Sequence, residues 1–392
     1  MKKRVIFIRG TWETLDVFSK GMEQHFVEIG ADIFVLDTNN LLVSLGKLYD
    51  FIQNPVDAVI TFNNVGLNIE LTQGKRLWDE LNVLCINILV DHPVCYMQEL
   101  QLAPVKTVVL CVDKNHVDFI RRFFPNVMAV HFLPHGGMVW EGKNILWEER
   151  NIDVLYAGGL HKNVAAGYIP QNLDEICGMD SSVLCEKILE RLIDDTECTL
   201  EGAIEDYMKE QSLMINDAQL LQYIRLFRFL DVYSSSYYRE RAVKMLIENG
   251  IHVTIYGHGW DKCDWISHPN IEYHRNVSPE EILTLMGRTK IVLNSMPNFK
   301  NGSHERIFNG MLAGAAVVSD TSCYIEEEAE GREYLYMYNL KRQQELPDII
   351  KDILSHPDKM EEVTSAAYDV AEEYHTWHKR AQMVEKYIEI YQ

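Results

Sequence analysis

Residues that could bind a phosphate group lie where a predicted strand gives way to a predicted helix. Residues 291–293 form a short apolar, β-branched run, and the Pro-, Asn- and Gly-rich stretch 297–302 interrupts it. Ser303 is the predicted N-cap of the following helix. Unpaired N–H groups in the first turn of a helix favour an anion, and the guanidinium of Arg306 would add donors. This spacing predicts a phosphate-binding loop; the alternative is a surface loop between two elements.

Glycine, aromatic and polar residues follow three other predicted strands in the second half of the chain. Glycines at such positions would let the backbone approach a ligand, and the imidazole and indole groups offer a proton donor and a stacking face. Each residue could instead belong to a turn, a solvated loop or the packed core. The candidate ligand contacts at these strand ends are Gly158, Gly159, Tyr256, Gly257, His258, Trp260, Arg275 and Asn276.

An acid and an imidazole lie together in the first half of the chain. Asp91 and His92 directly follow the apolar run 84–90, so a buried strand would deliver both to one edge of a sheet. The pair could deprotonate or orient a nucleophile. A single histidine is more often structural than catalytic. Further candidates at the ends of predicted strands, expected on the side of a second substrate, are Gly10, Thr11, Trp12, Asn63, Asn64 and His135.

Composition restricts the class of protein. The chain has 392 residues and a formal net charge of −21, which disfavours nonspecific binding to nucleic acid or to an anionic membrane. Its eight cysteines include no CxxC pair, which indicates reduced thiols and no zinc site. No apolar run reaches the roughly 18 to 20 residues of a membrane span, and no signal-peptide pattern precedes the first strand. We therefore expect a soluble, cytoplasmic protein.

Apolar runs alternate with helical patterns in both halves of the chain, which predicts parallel sheets covered on both faces. We predict an α/β fold with two Rossmann-like, doubly wound domains that face each other across a cleft. A lone glycine after the first strand, without GxGxxG, argues against a dinucleotide site. The predicted strands are residues 5–8, 33–36, 58–61, 84–90, 107–112, 127–133, 271–274, 290–294, 315–319 and 334–338, with two more in the stretches 152–159 and 251–260.

Domain boundaries follow from breaks in this alternation. Residues 1–145 form the predicted N-terminal, acceptor-side domain, and residues 146–375 form the C-terminal domain. An acidic helical stretch at about 173–230 interrupts the second domain and is predicted to be an insertion, serving as packed helices, an oligomer contact or a lid. The helical tail from about 358 to 390 is expected to break once, with residues 376–392 packing back on the N-terminal domain.

Two segments carry a resemblance to a known family. The sequence YGHGW at 256–260, and HERIFNGMLAGAAVVSD at 304–320, resemble the C-terminal half of GT-B glycosyltransferases, especially the CgeB-like group related to glycosyltransferase family 4. The family segment R-x-F-E-x-x-x-x-G corresponds to Arg306, Phe308, Asn309 and Gly314. Asn309 stands where the family usually has a glutamate, which resembles the carboxylate that binds the ribose hydroxyls of the nucleotide. An amide can still accept one hydrogen bond and donate another.

The resemblance implies a glycosyltransferase that holds a sugar nucleotide, most simply a UDP-sugar, in its C-terminal domain and needs no other cofactor. Asp91 or His92 would activate the acceptor, while Arg306, Lys300 and the helix N-terminus would stabilise the leaving diphosphate. It also implies retention of anomeric configuration. No DxD motif lies in a suitable loop, so we predict no catalytic metal. The donor contacts added by the resemblance are Lys300, Gly302, Ser303, His304, Glu305, Arg306 and Asn309.

Two other functions fit the same pattern. A sugar-nucleotide epimerase would keep the donor site but need no acceptor. A noncatalytic partner subunit would keep the fold alone, which the replacement at Asn309 and the acidic helical stretch both motivate. The sequence leaves the acceptor open between a protein, a glycan and a small molecule.

Overall fold

The computed structural model describes residues 2–10, 12–142, 145–162, 172–331 and 333–392. The chain divides into two compact units. Unit 1 comprises Met1–Val139, Asn301–Phe308 and Asp369–Gln392, and unit 2 comprises Trp140–Lys300 and Asn309–Tyr368. The phosphate-loop candidate is thereby split, because residues 301–308 pack with unit 1.

Unit 1 is built on a six-stranded parallel sheet in the order β2-β1-β3-β6-β7-β8. Its strands are short apolar runs, and those in the middle of the sheet are buried along their whole length because helices cover both faces. A small antiparallel pair, β4 and β5, was not predicted from the sequence. The strands are β1 Arg4–Arg9, β2 Asp32–Asp37, β3 Ala58–Phe62, β4 Glu70–Thr72, β5 Lys75–Arg76, β6 Leu84–Leu89, β7 Thr107–Cys111 and β8 Ala129–Phe132.

Helices connect these strands, and the last helix of the chain packs on the first. In helix Trp377–Tyr391 the buried residues Trp377, Val384 and Ile388 recur at helical spacing. The indole of Trp377 stacks on Phe18 with ring centroids 4.8 Å apart. The other α-helices wholly within unit 1 are Glu13–Glu28, Leu41–Phe51, Leu77–Glu80, Met97–Gln101 and Lys114–Phe123, and Pro93–Tyr96 forms a 3-10 turn.

Unit 2 has a second six-stranded parallel sheet, in the order β11-β10-β9-β12-β13-β14. The first strand along the chain, β9, lies in the middle, and the order reverses between β9 and β12. In open α/β sheets a ligand binds beyond the carboxyl ends of the strands at such a reversal. The strands are β9 Ile152–Ala157, β10 Val253–Tyr256, β11 Ile271–His274, β12 Thr289–Asn294, β13 Ala316–Asp320 and β14 Tyr336–Tyr338.

The helical stretch of unit 2 extends further than the sequence indicated. We predicted an end near residue 230, but helix Asp217–Glu248 continues because Tyr238, Ala242 and Leu246 pack into the core beside the sheet. Its second half is therefore the crossover from β9 to β10. Among the described residues, the remaining α-helices of the chain are Leu173–Cys177, Ser181–Asp194, Leu200–Glu210, Pro279–Met286, Glu305–Leu312, Cys323–Ala329, Leu346–Ser355 and Pro357–Tyr374, with 3-10 turns at Trp147–Glu149, Trp260–Lys262 and Leu340–Glu345.

The predicted fold class is confirmed, and each predicted strand overlaps an observed one. The helical tail breaks once, between Pro357–Tyr374 and Trp377–Tyr391, where the hydroxyl of Thr376 caps the second helix. No described helix is both long enough and apolar enough to cross a membrane. Within the described residues no disulfide joins the cysteines, and Cys85 and Cys111 are buried.

Candidate functional site

The loops after β9 and β10 meet at the carboxyl edge of the unit 2 sheet. A Cβ atom at Gly257 would lie 2.2 Å from the carbonyl oxygen of Gly158, and one at Gly259 would lie 1.9 Å from that of Leu160. The N–H of Leu160 donates to the carbonyl of His258 at 2.8 Å. We predicted that glycine here admits a ligand, but the group that approaches so closely is the backbone of the neighbouring loop. The glycines shape this edge by letting the two loops pack.

Trp260 is a core residue. Its side chain is fully buried, its Nε1–H donates to the carbonyl of Gly158 at 2.8 Å, and its ring packs against Tyr156 and Trp265. The expected stacking face is therefore covered by the protein. The tryptophan instead fixes the position of the loop that follows β9.

Several predicted contacts lie at the carboxyl ends of β10 and β11. The ring of Tyr256 stacks on His274, with centroids 4.5 Å apart, because the two residues are register partners. His258, Arg275 and Asn276 follow these strands and are exposed. Polar side chains that can meet a ligand therefore remain along this edge.

The ammonium of Lys300 is engaged by backbone. It donates to the carbonyl of Thr196 at 2.7 Å and to that of Pro297 at 3.1 Å, and it borders a cavity of about 60 Å³. Such a cavity admits a few waters and no nucleotide. The lysine joins the loop after β12 to the helical stretch.

Arg239 is a cation that sequence reasoning missed. It lies on helix Asp217–Glu248 with Nη1 3.4 Å from the carbonyl oxygen of Gly159, at the strand-order reversal. Its Nε atom is buried and has no hydrogen-bond partner among the described residues. An arginine inside a helix gives no loop or strand-end signal in the sequence, so only the packing of the helix against β9 reveals it.

Buried polar groups hold the ends of β12, β13 and β14 together. Both carboxylate oxygens of Asp320 accept from the N–H of Met296, at 2.8 and 3.0 Å. The amide of Asn294 donates to Ser319, and the hydroxyl of Tyr338 donates to the carbonyl of Asn294. Because buried polar groups are costly to leave unpaired, these bonds fix the path of the chain as it leaves β12.

The segment 301–308 begins with a close contact inside unit 1. Gly302 forms a β-bridge with Asp113, and a Cβ atom at Gly302 would lie 2.3 Å from the carbonyl oxygen of Val112. The carboxylate of Asp113 accepts from the N–H of Asn301 at 2.9 Å and also caps helix Lys114–Phe123. Glycine at 302 is thus required by contact with the end of β7.

The start of helix Glu305–Leu312 differs from the prediction. The helix begins two residues after Ser303, whose buried hydroxyl has no hydrogen-bond partner in the described part of the chain, so Ser303 is not the N-cap. His304 Nδ1 lies 2.8 Å from Glu305 Oε2 and 3.3 Å from the N–H of Arg306. A protonated ring nitrogen cannot also accept, so the shorter contact to the carboxylate is the hydrogen bond.

Charge is concentrated at this helix start. Burial acts to raise the pKa of Glu305, but His304 and Arg306 outweigh it and hold the pKa well below its usual range. Arg306 is buried, and Asn309 lies one turn further on, half-buried. The carboxylate of Glu305 is therefore ionised at neutral pH.

His135 lies beside these residues in unit 1. Its ring stacks on His304 with centroids 6.0 Å apart. Burial lowers the pKa of His135 to about 3, although the Glu305 carboxylate acts in the opposite direction. The imidazole is therefore uncharged at neutral pH and suited to hydrogen bonding. Arg380 fixes its backbone by donating to the carbonyl of His135.

Asp91 and His92 follow β6, as predicted, but they face different partners. The Asp91 carboxylate accepts from the amide of Asn63 and the hydroxyl of Tyr96, both at 2.9 Å, and is exposed. His92 Nδ1 accepts from the N–H of Val94 at 3.1 Å. Asn63 adopts a positive φ of 49°, so the turn after β3 aims its amide at Asp91.

His116 is a further histidine that the sequence did not single out. Its ring lies 4.5 Å from that of His92, centroid to centroid, and burial lowers its pKa to about 3. It occupies the buried face of helix Lys114–Phe123. A histidine among apolar helical positions looks like an ordinary core residue in sequence, so its contact with His92 appears only in three dimensions.

The remaining acceptor-side candidates have separate roles. Asn64 is buried and exchanges hydrogen bonds with Asn87, which makes it part of the sheet edge. Gly10 has a φ of 109° and donates its N–H to Asp16. Trp12 is 66% exposed. Thr11 lies outside the described residues.

Three comparisons with known proteins bear on this arrangement. Residues 239–386 match the model of a family described as glycosyl transferase-like, which covers less than half of the chain. No curated protein matches. Sucrose-phosphate synthase from Thermosynechococcus elongatus has a similar structure, with 9% sequence identity, a TM-score of 0.51, and coverage of 100% of this chain and 99% of that one.

Two other solved structures superpose over the same length. A glycosyltransferase from Rickettsia africae has 11% identity, a TM-score of 0.49, and coverage of 100% of this chain and 98% of its own. The Anabaena protein HepE, crystallised with UDP and glucose, has 10% identity, a TM-score of 0.49, and coverage of 98% and 99%. At such identity the likeness to the synthase shows the fold alone, which is the GT-B fold of two Rossmann-like domains.

Proposed function

We propose that the protein is a glycosyltransferase that takes its sugar from a nucleotide-diphosphate donor. The observation that carries the proposal is the match of residues 239–386 to the glycosyl transferase-like family. That segment contains β10 to β14, their carboxyl-edge loops and Arg239. It therefore covers most of the edge at which a parallel sheet of this order binds its ligand.

The donor diphosphate is assigned to the strand-order reversal of unit 2. Arg239 supports this assignment because its partly buried guanidinium lies against the loop after β9, and its buried Nε has no hydrogen-bond partner among the described residues. Arginine suits the planar, multidentate recognition of phosphate. The exposed His258, Arg275 and Asn276 line the edge beside it and are proposed contacts for the nucleoside.

The acceptor is assigned to the carboxyl edge of the unit 1 sheet. Asp91 is the proposed base, because its exposed carboxylate is held by Asn63 and Tyr96 and can receive the proton of an acceptor hydroxyl. The neutral His135 would orient the acceptor, and the buried Arg306 would add a positive charge near it in unit 1. Retention of configuration, catalysis without a metal and a UDP-sugar donor complete the proposal.

The test is the fate of the donor during incubation with the purified protein. UDP-, GDP-, dTDP- and CMP-sugars are incubated singly with a mixture of small-molecule acceptors, and products are separated by mass and retention time. We expect one donor to release its free nucleotide, and we expect Arg239→Ala to release less of it at the same donor concentration. Conversion of the sugar while it stays on the nucleotide would indicate an epimerase. Unchanged donors, with no binding, would indicate a noncatalytic subunit.

A further inference from the structure

Two histidines and two glutamates meet where the first helix of unit 1 packs against the last. His25 and Glu28 lie at the end of helix Glu13–Glu28, and His378 and Glu385 lie on helix Trp377–Tyr391. His25 Nε2 is 2.7 Å from Glu385 Oε2, and His378 Nε2 is 2.7 Å from Glu28 Oε2. Each imidazole is thus paired with a carboxylate of the other helix, and the four side chains form one cross-helix cluster.

Three of these residues have metal-ligand atoms that lie close to one another. One ligand atom from each of His25, Glu28 and His378 lies within 4.8 Å of the other two. Imidazole nitrogen and carboxylate oxygen bind Zn²⁺ at about 2.0 to 2.2 Å in tetrahedral geometry, which places ligand atoms roughly 3 to 3.5 Å apart. Small side-chain rotations would close that difference. We propose that His25, Glu28 and His378 bind Zn²⁺, with a water as the fourth ligand.

Glu385 has the position of an orienting residue behind a metal ligand. It pairs with Nε2 of His25, and its other oxygen accepts from the ammonium of Lys3 at 2.6 Å. A metal-bound histidine donates its second ring N–H to such a carboxylate, which fixes the tautomer and the ring orientation. His25 would therefore bind the ion through Nδ1 while Nε2–H donates to Glu385. His378 would bind through Nε2, the atom that faces Glu28.

The local charge favours a divalent cation. The ammonium of Lys3 pairs with the carboxylates of Glu385 and Glu389, and the carboxylate of Glu28 pairs with His378. When both imidazoles are neutral, the three carboxylates and the ammonium of Lys3 together carry a net charge of −2. A doubly charged ion would neutralise them while being bound by groups that prefer it.

The cluster has one buried and one open side. His25 is 6% exposed, whereas the side chain of Glu28 is 63% exposed, so an ion can enter from solvent. Helix Glu13–Glu28 starts beyond the carboxyl end of β1 and returns to the start of β2, so its last turn lies toward the amino edge of the sheet. The ion would therefore join the first and last helices of unit 1, remote from the carboxyl-edge residues.

The test uses the whole 392-residue chain after treatment with a chelator. Zn²⁺ is titrated by calorimetry, Co²⁺ is added as a spectroscopic probe, and the melting temperature is followed with and without Zn²⁺. We expect one equivalent of Zn²⁺ to bind, the tetrahedral Co²⁺ absorption to appear, and the melting temperature to rise. Glu28→Gln and His378→Gln should each abolish all three effects while the metal-free proteins keep their circular dichroism spectra.

Two further variants test the role of Glu385 and provide a control. Glu385→Gln should keep the stoichiometry but weaken Zn²⁺ affinity roughly 10- to 100-fold, because it removes only the orienting carboxylate. His356→Gln is the matched control: His356 is an exposed histidine paired with Asp352 and should bind Zn²⁺ like the unmodified chain. The proposal is overturned if no saturable site is found, or if Glu28→Gln and His378→Gln bind Zn²⁺ as tightly as the unmodified chain.

Discussion

At the scale of single residues, Arg239 is our proposed anion contact among the described residues of unit 2. Its guanidinium is partly buried, lies against the carbonyl of Gly159, and keeps a donor nitrogen without a partner in the described part of the chain. A buried donor left unpaired is costly, and a bound phosphate oxygen would remove that cost. Lys300 lacks this property because carbonyl oxygens already occupy its ammonium.

Arg239→Ala is therefore expected to weaken binding of the sugar nucleotide roughly 10- to 100-fold, the value of one charge-assisted hydrogen bond. Calorimetric titration measures it. Arg241→Ala is the matched control, since Arg241 lies on the same helix two residues away, faces a different direction, and contacts Tyr237. Equal affinities of Arg239→Ala and Arg241→Ala for the sugar nucleotide would show that Arg239 does not bind the donor.

Asp91→Asn tests the proposed base of unit 1. The amide keeps the size of the side chain but cannot take up a proton, so the turnover number should fall by about 10²- to 10⁴-fold with donor affinity unchanged. Asp118→Asn, at an exposed helical position of the same unit, should have no effect. Steady-state kinetics, with the acceptor identified in the donor-incubation experiment, measures the turnover number. A loss of donor affinity in Asp91→Asn would contradict the assignment of Asp91 as the base.

At the scale of elements, the unit 2 edge depends on two loops that pack through glycine. Gly259 has a φ of 85°, and a Cβ atom there would meet the carbonyl oxygen of Leu160. Gly250 has a similar φ of 79°, but a Cβ atom there meets nothing within 4 Å. Alanine at Gly250 would therefore add backbone strain alone, whereas alanine at Gly259 would add both backbone strain and a steric clash.

Gly250→Ala should lower the free energy of unfolding by about 1 to 2 kcal/mol, because alanine is strained in the left-handed backbone conformation. Gly259→Ala should cost at least about 3 kcal/mol, because the β9 and β10 loops must also move apart. Urea denaturation of both variants measures the difference. Similar losses for the two would show that the loops are not closely packed.

The sequence was informative about elements and less so about contacts. Continuous apolar runs such as 84–90 and 107–112 predicted buried strands because a parallel sheet covered on both faces leaves no polar alternation. The role of Trp260 could not be predicted, since an aromatic residue after a strand serves a core and a ligand equally well. The cap at Ser303 failed because residues 301–302 are held by Asp113, far away in sequence. The CgeB-like affiliation stays a prediction.

At the scale of the whole molecule, buried histidines link stability to pH. Burial lowers the pKa of His116 and of His135 to about 3. In the unfolded chain a histidine titrates near about pH 6.5. Between these values the unfolded state binds more protons than the folded state, so the free energy of unfolding falls as the pH falls.

Each such histidine should contribute a slope of about 1.4 kcal/mol per pH unit below about pH 6.5. His116→Gln should reduce the measured slope by that amount, whatever its effect on stability at neutral pH. His252→Gln, at an exposed position, is the control. Urea unfolding at a series of pH values from about 7 to about 5 provides the slopes, and identical slopes for His116→Gln and the unmodified chain would contradict the burial argument.

The central claim is that the chain binds a sugar nucleotide, and thermal stabilisation across UDP-, GDP-, dTDP- and CMP-sugars tests it most directly. A ligand at about a hundred times its dissociation constant stabilises the folded state by about 2.7 kcal/mol. We predict a melting-temperature rise with one nucleotide class, and a smaller rise at the same ligand concentration in Arg239→Ala. Absence of any shift with every nucleotide would contradict the account and leave a GT-B fold without a donor site.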